Sequence, residues 1–361
     1  MTNFKKFLFL FFLFLLPFLN SNYIYAYSDN GSESIQARIT KIIEQKQIVV
    51  MDKEQLYQKL ELELSTPDHK KVIIENGNQP IVNIIKYSVN DNVLLNLNQN
   101  IDGSNEYIII DFIRKDSLIL LSILFIILLV VIAKWKGLFS LFGMIFTFLV
   151  LFIFVLPRLL AGDNPILIAI IASLLIIPVS FYISHGFNKK TTIAIISSII
   201  SLIITAILAS IFTKLGHLTG LSSEEAGMLS IDQNNLNMKG ILLAGIVIGA
   251  LGVLDDITIS QAAIVDELAN TAKLTKAKDL YSRSMIIGKD HITSMVNTLV
   301  LAYAGASLPL LLIFTNNPHP FSEIINYEMI AEEIIRTLVG SIGLILAVPI
   351  TTIIAANWYK K

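Results

Sequence analysis

The chain has 361 residues but no cysteine, and charged residues make up only 15% of it. Without cysteine there can be no disulfide, no thiolate metal site and no lipoprotein attachment. A net charge of −1 and the lack of a basic arm predict no nucleic-acid partner. No nucleotide-binding loop, nucleophile elbow or zinc spacing occurs. We therefore predict no enzyme, no catalytic residue and no cofactor, and the pattern specifies no metal.

Apolar residues are abundant: they form 54% of the chain, and the mean hydropathy is +0.68. No soluble domain of this size covers so much apolar surface. We predict a mostly α-helical, polytopic membrane protein: a seven-helix transmembrane bundle over residues 117–357, preceded by a small extracytoplasmic β-rich domain. The apolar runs near spanning length are 117–133, 138–157, 165–184, 191–213, 239–260, 291–314 and 334–357.

The N-terminal part has a different character. Residues 1–26 place Lys5 and Lys6 before a short apolar run, Phe7–Leu19, and end at Ala26. This layout indicates a signal peptide or a retained N-terminal anchor, and both remain open. Residues 27–114 are polar, with short β-branched runs separated by turn residues, and predict a small barrel or sandwich. The candidate strands are 36–43, 47–51, 55–62, 71–75, 92–98 and 106–114.

The distribution of lysine and arginine predicts the topology. With residues 27–114 on the extracytoplasmic side, eleven of the lysine and arginine residues after the β-domain fall inside, and only four fall outside or at outer helix ends. The inner set is Lys134, Lys136, Lys189, Lys190, Lys273, Lys276, Lys278, Arg283, Lys289, Lys360 and Lys361; the outer set is Arg158, Lys214, Lys239 and Arg336. We predict a multi-pass protein of the cytoplasmic membrane with its C-terminus in the cytoplasm.

The fifth apolar run carries two adjacent carboxylates. On a helix, Gly245, Gly249, Gly252, Asp256 and Ser260 form one stripe, and Asp255 and Thr258 belong to a neighbouring one. The glycines predict close approach of another helix, which would point Asp256 into the bundle. Two interpretations compete: a solvated helix end at the headgroup boundary, or a carboxylate in a water-filled or ion-binding cavity. The glycine stripe favours the cavity.

The sixth run adds further polar groups. It opens with Asp290 and His291 and continues with hydroxyl, amide and small residues, namely Ser294, Asn297, Thr298, Ala302 and Gly305. Such groups line a cavity or merely join helices by hydrogen bonds, at about 0.6 kcal/mol each. Gly305 is also predicted to pack closely against another helix. Pro309 lacks an N–H and frees the carbonyl of Gly305, which lines a cavity or accompanies a kink.

Two motifs resemble those of the YibE/F family of membrane proteins. One is the run Gly249–Ala262, and the other is Gly288-Lys289-Asp290-His291 followed by Val296–Leu310. The likeness covers about residues 120–357, and the exported β-rich segment matches the family layout in character. The resemblance implies a name and a topology but no activity.

Three functions are considered. An ion-coupled permease or transporter fits acidic residues on a small-residue helix beside a proline-broken, hydroxyl-rich helix. The alternative is a non-enzymatic module of envelope biogenesis or signalling that binds a partner through its β-domain. An intramembrane aspartyl hydrolase would pair Asp255 or Asp256 with Asp290, but Asp290 is predicted to lie at the interface. The expected partners are the lipid bilayer, a proton or cation, and either a second copy or an envelope protein.

Overall fold

The computed structural model describes residues 33–51, 53–80, 84–99, 105–232, 236–271, 276–315 and 319–360. It divides into two compact units, one over residues 25–128 and the other containing residues 129–361. The predicted signal or anchor at residues 1–26 lies outside the described residues. The first unit carries the β-sheet and the second the helical bundle.

The β-domain is one antiparallel sheet of five strands in the order β3-β2-β1-β4-β5. The strands are β1 Glu33–Val50, β2 Lys53–Leu64, β3 Lys71–Asn76, β4 Asn92–Gln99 and β5 Asn105–Phe112. The two predicted strands 36–43 and 47–51 are a single strand, β1. No turn interrupts them because β2 pairs along the whole stretch, and bulges near Thr40 and Ile43 absorb the irregularity.

The sheet closes on its own apolar core. Alternate residues of β2 and β4 point inward and are fully buried, among them Leu60, Leu62, Val93 and Leu95. The edge strands β3 and β5 contact each other. The sheet therefore curls toward a partly open barrel, one of the two predicted forms.

The helices follow from residue 115 onward. They are α1 Lys115–Leu149, a π-helical turn Val150–Val155, α2 Leu156–Leu160, α3 Pro165–His185, α4 Lys189–Leu215, α5 Glu224–Asp232, α6 Met238–Asn270, α7 Ala277–Ala306, α8 Leu308–Thr315, α9 Phe321–Ile324 and α10 Glu328–Tyr359.

Three of the long helices begin at an asparagine. The side chains of Asn164, Asn188 and Asn237 accept hydrogen bonds from the first backbone N–H groups of α3, α4 and α6. These donors have no partner inside the helix, so such a cap stabilises the helix by about 1 kcal/mol. The sequence thus defines where these apolar helices start.

Within the described residues, five helices are long and apolar enough to cross a membrane, where the sequence predicted seven spans. The runs 117–133 and 138–157 lie in one continuous helical stretch, Lys115–Leu160, whose backbone leaves helical geometry at Lys134 (φ 53°, ψ −132°). The run 291–314 is divided between α7 and α8 at Ser307. Each apolar run is helical, but the helices do not begin and end where the apolar runs begin and end.

The centre of the bundle is formed by α4, α6 and α10, which all pack against one another. Their shared core is aliphatic and fully buried, as at Ile193, Leu254, Ile257 and Leu344. Helix α3 packs on α6, and α7 packs chiefly on α10. The two helices with the candidate polar residues, α6 and α7, thus belong to one packed unit.

Candidate functional site

The polar residues of α6 and α7 lie at the same level of the bundle. Gln261 of α6 lies beside Gly288 of α7, and Gly249 lies beside Tyr303. The opposite order of these contacts shows that the helices are antiparallel. At 1.5 Å per residue, interpolation between them places Asp256 at about the level of Ser294.

Asp255 and Asp256 occupy different environments. Asp256 is exposed, whereas Asp255 is half-buried and its Oδ1 is shielded from solvent with no hydrogen-bond partner in the structure. The sequence predicted the reverse, with Asp256 facing the bundle. The buried residues Val247, Leu254 and Val265 lie along one line of α6. Asp256 lies about 170° around the helix from that line, and Asp255 lies about 90° from it.

The predicted glycine stripe faces away from the described part of the bundle. A side chain at Gly245, Gly252 or Gly305 would meet nothing within 4 Å, and one at Gly249 would meet only the Tyr303 hydroxyl, at 3.5 Å. Close packing at these positions is thus not found between described parts of one chain. The packing of another helix against this stripe stays a prediction.

Other glycines, at positions that no sequence pattern marks, lie at close helix contacts. A Cβ at Gly143 would lie 3.1 Å from the hydroxyls of Ser180 and Ser184, and one at Gly343 would collide with Thr205 Oγ1. Both are flanked by apolar residues and carry no polar motif that marks them. Only their contacts with residues of α3 and α4 show that they lie at helix interfaces.

Thr258 belongs to a buried polar network behind the carboxylates. Its hydroxyl lies 2.7 Å from Ser198 Oγ of α4 and also donates to the carbonyl of Leu254. Ser260, on the neighbouring stripe, is half-buried. Thr258 therefore joins α4 to α6, which is the structural role that the sequence left open.

Gln261 is a buried polar residue that the site prediction omitted. Its Nε2 donates to Thr352 Oγ1 of α10 at 2.7 Å and to the carbonyl of Ser284 of α7 at 3.3 Å. Its Oε1 and the Ser284 hydroxyl are buried with no hydrogen-bond partner in the structure. One amide thus connects α6 to both α7 and α10, and its polarity inside an apolar run was the available signal.

The α7 candidates lie mostly on the open side of the molecule. Asp290, Ser294, Asn297 and Thr298 are exposed, and His291 is half-buried. The Thr298 hydroxyl donates to the Ser294 carbonyl of its own helix at 3.0 Å. The structure therefore places these residues mostly away from the buried network around Thr258. Among the described residues, no group of three or more His, Asp or Glu is arranged to hold a metal ion.

The break at Ser307 confirms the expected interruption before Pro309, and it borders a cavity. The cavity has a volume of about 370 Å³, and its lining includes Ser307, Pro309, Glu332, Glu333 and Arg336. Arg336 donates to Glu332 at 2.6 Å and to Glu333 at 2.7 Å. The one-turn spacing of these residues was the sequence signal for this ion-pair cluster.

Comparison with known proteins gives one match. A family model described as YibE/F-like protein matches residues 121–361, which include all the candidate residues of α6 and α7. No curated protein matches the chain, and no solved structure does. The matched region begins after the β-domain.

Proposed function

The chain belongs to the YibE/F-like family, and from this membership and its apolar helices we propose that it is a multi-pass membrane transporter coupled to a proton or cation. The coupling site is the carboxylate pair of α6. Five apolar helices support the membrane placement. The break at Lys134 and the α7–α8 pair supply the further spans of a seven-span topology. The β-domain then lies outside and the C-terminus inside, as the lysine and arginine distribution predicts.

One observation carries the proposal: Asp255 Oδ1 is buried without a hydrogen-bond partner in the structure. An ionised carboxylate oxygen that is buried in an apolar interior without a hydrogen-bond partner raises the free energy of the folded protein. A proton or a bound cation removes that cost. Helices seldom keep such a group within the apolar region unless it serves an ion pathway.

The neighbouring residue gives this site a route to the outside of the bundle. Asp256 is adjacent in sequence and exposed, at about the level of Ser294. Its carboxylate passes a proton or cation between the open side of α6 and the shielded oxygen of Asp255. Exchange at such a pair is the chemistry that an ion-coupled step needs.

A flux assay in proteoliposomes tests the proposal. Cation and proton flux are measured with and without a pH gradient for the wild type, the double variant Asp255→Asn/Asp256→Asn and the control Glu267→Gln. Glu267 is exposed on the same helix and accepts a hydrogen bond from Thr271. We expect gradient-dependent flux in the wild type and the control and its loss in the double variant. Flux that survives in the double variant, or none in the wild type, would overturn the proposal.

The β-domain supports a second candidate function, the binding of an envelope protein. Ile73, Ile108 and Ile110 are 59%, 45% and 52% exposed on a domain with its own core. Ile73 and Ile108 line the same cavity, and exposed apolar residues that adjoin one another mark interaction surfaces. The test is the growth of cells under conditions in which the protein is required. If the Asp255→Asn/Asp256→Asn variant supports growth as well as the wild type does, partner binding is favoured over ion coupling.

A hydrolase is the least favoured of the three functions. An intramembrane aspartyl hydrolase needs two carboxylates that converge from different helices on one substrate bond. Asp290 is exposed on α7, while the shielded oxygen of Asp255 faces inward. We therefore propose ion coupling in place of hydrolysis for the pair on α6.

A further inference from the structure

A basic cavity lies at one end of the three central helices. It has a volume of about 430 Å³, and its lining is Asn188, Lys189 and Lys190 at the start of α4, Asp266 of α6 and Tyr359 of α10. This volume is in the range of sites that bind small molecules, about 300–1,000 Å³. The predicted topology places this end of the bundle on the cytoplasmic side. We call this cavity the lysine pocket.

The charges of the lysine pocket are not balanced. Lys189 is exposed and Lys190 is half-buried, and neither forms an ion pair within the part of the chain that the structure describes. The Asp266 carboxylate offsets one of the two ammonium charges, while its Oδ1 accepts a hydrogen bond from Asn270 at 2.8 Å. One positive charge remains. Because burial of an unpaired charge raises the free energy, the half-buried ammonium group favours the binding of an anion.

Local hydrogen bonds hold both lysines in place. The Asn188 side chain accepts a hydrogen bond from the Thr191 N–H at 3.0 Å and donates to the His185 carbonyl at 2.8 Å. These bonds fix the short connection between α3 and α4, so Lys189 and Lys190 start α4 at a defined position. The lysine pocket is thus formed before a ligand binds, and binding does not have to order it.

An apolar line on α4 leads from the lysine pocket toward the middle of the membrane. Ile200 and Ile207 lie within about 20° of Lys189 around the helix axis, and they are 38% and 54% exposed. On α10, Trp358 is 46% exposed beside Tyr359, and tryptophan is enriched at the headgroup level of membranes. The surface therefore presents cations at the headgroup level and aliphatic side chains in the acyl region. An anionic phospholipid has its groups in the matching order.

We propose that the lysine pocket binds the phosphate group of an anionic phospholipid of the inner leaflet. Basic pockets between helices on the cytoplasmic side suit such headgroups. Lys189 and Lys190 bind the phosphate as point charges, and an acyl chain lies along the isoleucines of α4. Asp266 accepts a hydrogen bond from a headgroup hydroxyl, which favours a glycerol headgroup. The inference rests on the membrane placement proposed above and not on transport.

The test is native mass spectrometry of the full chain in detergent, titrated with phosphatidylglycerol or with phosphatidylcholine. The double variant Lys189→Gln/Lys190→Gln removes both charges, and Lys189→Arg/Lys190→Arg keeps them. The matched control is Lys214→Gln, which removes an exposed lysine from the other end of α4. We expect the glutamine variant to bind phosphatidylglycerol about tenfold or more weakly than the wild type does. The arginine variant and the control should bind it as the wild type does, and all four proteins should prefer it to phosphatidylcholine or bind neither.

Three results would overturn the proposal. One is equal binding of phosphatidylglycerol by the wild type and the glutamine variant, and another is an equal loss of binding in Lys214→Gln. The third is displacement of phosphatidylglycerol by an equal concentration of inorganic phosphate, which would identify free phosphate as the ligand. If the double glutamine variant does not fold, the single variant Lys190→Gln takes its place. None of these measurements involves flux, so failure of this inference is separable from failure of the proposed function.

Discussion

The Gln261 amide donates to Thr352 Oγ1 across 2.7 Å, and both residues are fully buried. This contact joins α6, which carries the carboxylates, to the C-terminal helix α10. The Thr352 hydroxyl in turn donates to the Val348 carbonyl of its own helix. The bond therefore fixes the position of α6 against α10, which also packs on α4 and α7.

Thr352→Val should lower the stability of the bundle because it removes the acceptor of this buried bond. Interhelical hydrogen bonds in membrane proteins average about 0.6 kcal/mol. Thr351→Val is the matched control, since the Thr351 hydroxyl bonds only within its own helix, to Ala347. Thermal unfolding in detergent measures both. A larger loss in Thr351→Val than in Thr352→Val would show that the Gln261 contact is not the stabilising one.

Gly343→Ala should destabilise the protein because the added methyl group collides with Thr205 of α4. Overpacking of this kind typically costs about 1–3 kcal/mol. Gly227→Ala, on α5, meets nothing within 4 Å and should raise helix stability by up to about 1 kcal/mol. Opposite shifts of the unfolding midpoint are therefore expected. Equal shifts would refute the close α4–α10 contact.

Gln58→Leu should loosen the β-domain segment around Tyr87. The buried Gln58 side chain donates to the Tyr87 carbonyl at 2.9 Å and accepts from the Tyr87 N–H at 2.8 Å. Each backbone group left unpaired costs about 1–3 kcal/mol, so amide exchange at Tyr87 should accelerate about tenfold or more. Hydrogen exchange on the full chain measures this, with the exposed Gln47→Leu as control. Unchanged exchange at Tyr87 would mean that Gln58 does not hold this segment.

The proposed topology predicts where reporter fusions work. A reporter active only in the cytoplasm should function after Lys190, near Lys276 and after Lys361, because positively charged loops remain inside. It should be silent near Glu225 and Glu328. Activity in one of the acidic loops would mean that a span has been miscounted, most directly at the Lys134 or Ser307 break.

Local patterns in the sequence predicted much of the fold. Short β-branched runs between turn residues located β3 and β4, and apolar runs located every long helix. Contacts between distant residues were not accessible in this way. Ser198 and Thr258 are 60 residues apart, and nothing in either helix alone indicates that their hydroxyls meet.

The orientation of α6 shows why the site was only partly predictable. The spacing of Gly245, Gly249 and Gly252 correctly grouped Asp256 with them on one stripe. It did not show which side of the helix the core occupies. The aliphatic residues around Leu254 decide that, and they place Asp255, not Asp256, on the inner side.

The most direct test of the carboxylate site compares the two single variants in the flux assay. Asp255→Asn keeps the side-chain shape but removes the charge at the shielded position, so we expect normal insertion and loss of gradient-dependent flux. Asp256→Asn, at the exposed position, should retain a measurable part of the flux. If Asp255→Asn transports like the wild type while Asp256→Asn does not, Asp255 is not the coupling residue and the account of the site is contradicted.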